Sequence, residues 1–302
     1  MSENASSSPH YRVHLWVLFA SGADKAVILR RGPRRHYQLI NWDLQTGKFT
    51  SGQWMRGYVR LCDLSPSGEK LIYWAHQYHP HAYWNRPNAD RTQAPQISAS
   101  YEPLNEPSTK RGKRRRKIPR YLRQDQGRPP GRRWTTPVRR NEGVWTAISR
   151  PPYFSALAIW PGFGHWTGGG IFVAENDIIL QDDNITPKQN VPIPDSLLIR
   201  SIFRLGEGHG PLETNAWHMM KLDASVRNEI AKALKSAGAT WIEWVAPRKH
   251  GTLLFACDGR IYRLKNWQKV AAEHYLSEAE ELADFRAARF EQIAPPDEAM
   301  QW

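Results

Sequence analysis

Short runs of alternating apolar and polar residues, cut by turn-forming residues, cover most of the chain and predict strands. Val13–Ala20, Lys25–Arg30 and Tyr37–Leu44 are the first three, and the third leads into Trp42-Asp43-Leu44-Gln45-Thr46-Gly47-Lys48, a hairpin-type Thr-Gly turn. Arg60–Ala75 (RLCDLSPSGEKLIYWA) reads as strand, tight turn and returning strand. Pro66 presets φ at the first central turn position and Gly68 accepts positive φ, so the reversal has a mechanism. The pattern resumes in Trp145–Ser149, Ser155–Trp160, Ile171–Ala174, Asp177–Leu180 and Ser196–Leu205. It closes with Thr240–Ala246, Thr252–Cys257 and Arg260–Lys265, the last two joined by the two-residue turn Asp258-Gly259. Two stretches have helical character instead. Asp223–Ala237 places Val226, Ile230 and Leu234 on one face, with Asp223 as cap and Gly238 as stop. Ser277-Glu278-Ala279-Glu280 has the form of a capping box and predicts a terminal helix with Leu282, Phe285 and Ile293 inward.

Leu64–Ala75 (LSPSGEKLIYWA) resembles the repeat of TolB-like and WD40-like β-propellers, with Ser67 where that family most often has Asp. Trp42-Asp43 before its Thr-Gly turn similarly resembles the end of the third strand of a WD40-type blade. The resemblance implies antiparallel sheets around a rigid core, with rim loops suited to protein partners. Residues 11–84 and 143–302 leave room for five or six blades at most, at roughly 40–45 residues each, and the helices reduce that number. The expected fold class is therefore mainly β: a small or incomplete propeller-like body with two added helices. A β-sandwich with attached helices is the alternative. The Ser-rich residues 1–10 are expected to be disordered.

Charge separates the chain into two parts. Lys110–Arg140 holds fourteen of the 42 Lys and Arg but only one of the 29 Asp and Glu, which leaves 28 of each elsewhere. The net charge of +13 thus belongs to one segment, and the rest is electrically balanced. Around it, residues 85–142 are polar, Pro-dotted and without aliphatic periodicity, too long for an ordinary loop, and read as a disordered basic insertion. The two cysteines, Cys62 and Cys257, exclude a disulfide framework and a Cys-based zinc module. Val13–Ala20 is too short to span a bilayer and, with Glu3 ahead of it and His14 inside it, makes a poor signal-peptide core. A cytoplasmic protein with no membrane span is expected.

Lys110, Arg111, Lys113, Arg114, Arg115, Arg116, Lys117, Arg120, Arg123, Arg132 and Arg133 can engage several phosphates at once, and release of counterions would make such binding salt-sensitive. Tyr121, Trp134 and the guanidinium planes offer stacking surfaces for unpaired bases. RNA, DNA or another polyanion is the expected ligand; a solubilising loop, a localisation signal and an anionic lipid surface are the other readings of the same charges. Trp84, Trp145, Trp160 and Trp166 are candidate anchors for a protein partner. His76, His79 and His81 have spacings that two metal ligands could use, but no local carboxylate or thiol completes the set, so neither metal nor cofactor is expected. The loop Gly162–Gly170 lacks the Lys-Ser/Thr of a phosphate-binding loop. Glu175, Asp177, Asp182 and Asp183, and Glu207 with His209, lie where β-turns ordinarily carry polar residues. The expected function is a non-enzymatic binding or scaffold protein. The alternative is a hydrolase or metal-dependent enzyme centred on residues 162–183, using His165 or His209.

Overall fold

Four sheets are formed by the described residues. The computed structural model describes residues 12–32, 35–76, 144–161, 168–181, 186–189, 192–201 and 224–302. The chain divides into two units, residues 1–99 with 141–302 and residues 100–140, and every described residue belongs to the first. Sheet A is an antiparallel meander of β1 (His14–Phe19), β2 (Lys25–Arg31), β3 (His36–Asp43) and β4 (Phe49–Arg56). Sheet B continues with β5 (Tyr58–Leu64), β6 (Leu71–His76), β7 (Val144–Ser149) and β8 (Ala156–Pro161). Sheet C contains β9 (Gly170–Ala174), β10 (Asp177–Leu180) and β12 (Leu198–Ser201), and the intervening β11 (Lys188–Gln189) joins sheet B beside β8. Sheet D is a second meander, β13 (Ile242–Arg248), β14 (Thr252–Cys257), β15 (Arg260–Leu264) and β16 (Glu280–Asp284). Neighbouring strands are antiparallel throughout, apart from the parallel pair β10–β12.

The two faces of each strand decide how the sheets stack. In sheet A, Leu18, Val27, Leu29 and Leu39 face sheet B and pack with Leu61, Leu71, Tyr73 and Phe154. On its other face, Leu15, Val17, Ile28 and Trp42 meet Ala246, Leu254, Ala256 and Ile261 of sheet D. Sheet B turns Cys62, Ile72, Trp74 and Trp160 toward Ile178 and Leu180 of sheet C. The outer face of sheet D is closed by α1 (Ala224–Ser236), whose Ile230 and Leu234 pack on Leu253, Phe255 and Tyr262. The order in space is therefore C, B, A, D, α1. Sheet A, the first formed along the chain, lies between the second and the fourth.

The last part of the chain runs back across this stack. Arg30, 1% exposed, donates to the carbonyls of Phe285 (2.8 Å), Gly32 (2.7 Å) and Ala288 (2.9 Å). Phe290 then packs on His36 and Trp54, and the carbonyls of Ala299 and Gln301 accept from Ser155 and Arg150 beside sheet B.

The terminal helix expected from Ser277 is not formed. Glu280–Asp284 is strand β16, and the irregular segment after it contains only a short 3-10 turn at Asp297–Met300. Ser277 donates to the His274 carbonyl, and Glu280 takes Arg263 of β15 as a bidentate partner at 2.7–3.0 Å. Arg260 faces Glu281 and Asp284 at 3.4 Å, so cross-strand pairing overrides the local helix signal. One α-helix is present among the described residues instead of two, and it begins at Ala224 close to the expected start. The basic insertion has a defined mount: its flanks His76 and Val144 are directly paired residues of β6 and β7, so the entire 77–143 stretch occupies a hairpin connection.

Candidate functional site

The root of the insertion is built from the ends of β5, β6 and β7. Register places Tyr58 opposite His76 and Trp74 opposite both Arg60 and Thr146. His76, 9% exposed, stacks on Tyr58 with centroids 6.2 Å apart and lies against Trp74 at the same separation. Arg35 sits over the Tyr58 ring at 4.7 Å, and Arg60 over Trp74 at 5.4 Å. Arg60 also donates to the Gly168 carbonyl at 2.7 Å, while the Gly169 amide donates to Thr146 Oγ1 at 2.7 Å. A Cβ on Gly169 would come within 2.9 Å of Cys62 Sγ, and the residue has φ of +103°, so the glycine is needed for this close crossing. The connection to residues 77–143 thus leaves from a packed aromatic and cationic collar. His76 belongs to that packing, and His79 and His81 lie outside the described residues.

The turn after β5 is fastened in a different way. Ser67 N donates to Glu175 Oε2 at 2.9 Å, and Lys70 Nζ reaches Glu175 Oε1 at 3.3 Å and Asn176 Oδ1 at 2.8 Å. Burial pushes the Glu175 carboxyl up, but the Ser67 donors and the Lys70 ammonium outweigh it and hold the group below the usual glutamate value. Lys70, Glu175 and Asn176 line a cleft of about 330 Å³ together with Arg150, Leu197 and Trp302. Asp177 is the bidentate partner of Arg200, at 2.5 and 3.0 Å. Glu175 thus joins sheet C to the turn after β5, and Asp177 ties β10 to β12 within sheet C. Asp182, Asp183, Glu207, His209 and His165 lie outside the described residues. No group of three or more His, Cys, Asp or Glu is placed to hold a metal among the described residues.

The tryptophans divide differently from the expectation. Trp160 is 0% exposed between sheets B and C, which removes it as a surface anchor. Trp145 is half-buried against the core between sheets A and B. Trp84 and Trp166 lie outside the described residues, as do Lys110, Arg111, Lys113, Arg114, Arg115, Arg116, Lys117, Arg120, Arg123, Arg132 and Arg133. Among the described residues the exposed indoles are instead Trp16 and Trp241, at 41% and 44%. Period-2 reading of Arg12–Val17 carried that signal, since Val13, Leu15 and Val17 face inward and His14 and Trp16 take the other side.

Cys62 and Cys257 are free, buried thiols. Burial raises both above the ordinary value, Cys257 to about 12 with the nearby Asp258 and Glu243 charges adding to it. Both are therefore protonated packing residues at neutral pH. No described helix is long and apolar enough to cross a membrane. Comparison with protein-family models, curated proteins and solved structures yields no match for this chain.

Proposed function

We propose that this protein binds rather than catalyses, its stacked sheets forming a propeller-like platform and its basic insertion engaging a nucleic acid or a similar polyanion. The observation that carries the reading is the confinement of the whole charge excess to Lys110–Arg140 in an otherwise balanced chain. A segment of that density binds phosphates by counterion release, with little need for a shaped pocket. Two features of the body support this division of labour. The flanks of the insertion meet as paired strand residues, so the β6–β7 ladder is complete up to the point where the chain leaves it. The described acids within residues 162–183, Glu175 and Asp177, are committed to Lys70, Ser67 and Arg200. A propeller-like arc is favoured by the succession of antiparallel meanders and by sheet A receiving sheet D on one face and sheet B on the other. The same packing returns the end of the chain to its beginning, as ring-like β folds do.

Deleting Lys110–Arg140 tests the proposal. The expected result is an unchanged melting temperature together with loss of RNA and DNA binding in filter or anisotropy assays. Binding by the parent chain is expected to weaken by orders of magnitude between about 50 and 200 mM salt. Equal affinity with and without the segment refutes its role.

A further inference from the structure

Trp16 and Trp241 stand out because neither belongs to any of the hydrophobic clusters of the body, although both are held in fixed positions. Trp16 projects from β1, whose ladder to β2 pairs it with Leu29. Trp241 precedes β13 and is pinned by Asp258. The Asp258 carboxylate accepts the amides of Thr240 (2.9 Å) and Trp241 (2.8 Å), while the Asp258 amide donates to the Trp241 carbonyl at 2.9 Å. Between the two indoles sits His14, stacked on Trp16 at 6.0 Å and 24° and edge-on to Trp241 at 6.2 Å and 89°. The Arg12 guanidinium lies over the Trp241 ring at 3.4 Å, and Arg31 is the β2 partner of His14. Two of the five large exposed hydrophobic residues among the described residues thus converge on one imidazole with two arginines beside it. Partial burial, with the charges of Arg12 and Arg31, holds His14 below the ordinary histidine value, so its ring is neutral at pH 7.

We infer that Arg12, His14, Trp16 and Trp241 form a stacking site for unpaired nucleobases, with Arg12 and Arg31 meeting the adjoining phosphates. The chemistry favours a single strand over a duplex. Indole faces stack on any base that is free to leave its partner, and a base inside a duplex is not. Positive charge beside the rings suits a polyanionic strand and disfavours a cationic or purely apolar partner. An exposed pair of indoles held by turn and ladder hydrogen bonds needs no ordering on binding, which is the condition for a useful platform. The class of ligand rests on the nucleic-acid reading of Lys110–Arg140; the site itself does not.

The test compares the full chain with Trp16→Ala/Trp241→Ala and Trp16→Phe/Trp241→Phe double variants. The probes are labelled oligouridylate and oligothymidylate and a duplex of equal charge. The alanine variant is expected to lose tenfold or more of its affinity for the single strands while keeping duplex binding and the salt slope. The phenylalanine variant should retain most of the single-strand affinity. Unchanged single-strand binding by a folded alanine variant overturns the inference, and so does an equal loss for single strand and duplex. If the alanine variant does not fold, ultraviolet cross-linking of oligouridylate to the parent chain decides: adducts at Trp16 or Trp241 support the site, and adducts confined elsewhere overturn it. A third variant, with Lys113, Arg114, Arg115, Arg116 and Lys117 replaced by Gln, separates this result from failure of the basic segment. It should weaken single strand and duplex alike, and an unchanged affinity there counts against the segment and leaves the stacking site standing.

Discussion

Single residues illustrate how close backbone approach and burial set limits in this fold. Gly52 in β4 runs against the loop before β8, where a Cβ would lie 2.0 Å from the Pro152 carbonyl oxygen. The neighbouring Gln53 amide donates to that same oxygen at 3.0 Å, so neither strand nor loop can move aside without breaking a hydrogen bond. Gly52→Ala is expected to cost about 2 kcal/mol or more, read by urea unfolding. Glu243 shows a different constraint. It falls at the bulge between Ile242 and Trp244, and its carboxyl accepts from the Gly259 amide at 3.3 Å. Burial, with a smaller push from Asp258, raises it to about 7 from the ordinary 4.5, against the opposing pull of the Gly259 amide and Arg12. A carboxyl raised in this way disfavours the folded state once ionised. Its penalty is absent below about pH 4.5, grows as pH rises to about 7 and is constant above. Glu243→Gln should therefore remove that slope. The variant is expected to be more stable than the parent by about 3 kcal/mol at pH 8 and little different at pH 4, as read by denaturation at both pH values.

Elements respond to their neighbours more than to their own propensities. The Ser277–Glu280 signal was a reasonable helix start, yet Arg260 and Arg263 on β15 present cations to Glu280, Glu281 and Asp284, and the segment pairs as a strand. Nothing within residues 277–284 announces those partners, which come from an earlier strand. The helix α1 was legible because its apolar face and its stop, Gly238 with φ of +103°, lie in one contiguous stretch. The buried Arg30 ties the segment after β16 to sheet A, with no carboxylate partner among the described residues. Burial lowers its pKa to about 10, and three backbone carbonyls hold the guanidinium. Arg30→Ala leaves those carbonyls unpaired and is expected to cost about 3 kcal/mol. Hydrogen exchange should register the change locally, with faster exchange of the Phe285 amide than of amides in β6 or β7.

At the scale of the molecule, the paired ends of the insertion make a quantitative prediction. His76 and Val144 are already opposite one another, so residues 77–143 can be replaced by a short Asn-Gly turn without altering the ladder. Loop closure costs about 0.6 kcal/mol for each doubling of length, so cutting the connection by roughly five halvings should stabilise the body by about 3 kcal/mol. A raised melting temperature with lost polyanion binding is expected. A variant that fails to fold would mean that the insertion contributes to packing.

Much of the strand inventory was legible in sequence because each strand is specified by its own alternation and by the turn next to it. Thr252–Cys257 and Asp177–Leu180 begin and end where the apolar runs do, and the turn Asp258-Gly259 adopts the positive φ values that its residues favour. The separation of charge was equally local, since it needs only counting along the chain. The stacking order of the sheets was not legible. Which face of sheet A meets sheet B and which meets sheet D depends on clusters that join residues far apart in sequence, Leu29 and Tyr73 in one and Ile28 and Ala256 in the other. For the same reason the sequence could not separate Trp160, which fills the space between two sheets, from Trp16 and Trp241, which tertiary structure leaves exposed around His14. All three indoles have comparable intrinsic hydrophobicity, and only the presence or absence of an opposing sheet decides whether each packs in the core or faces solvent.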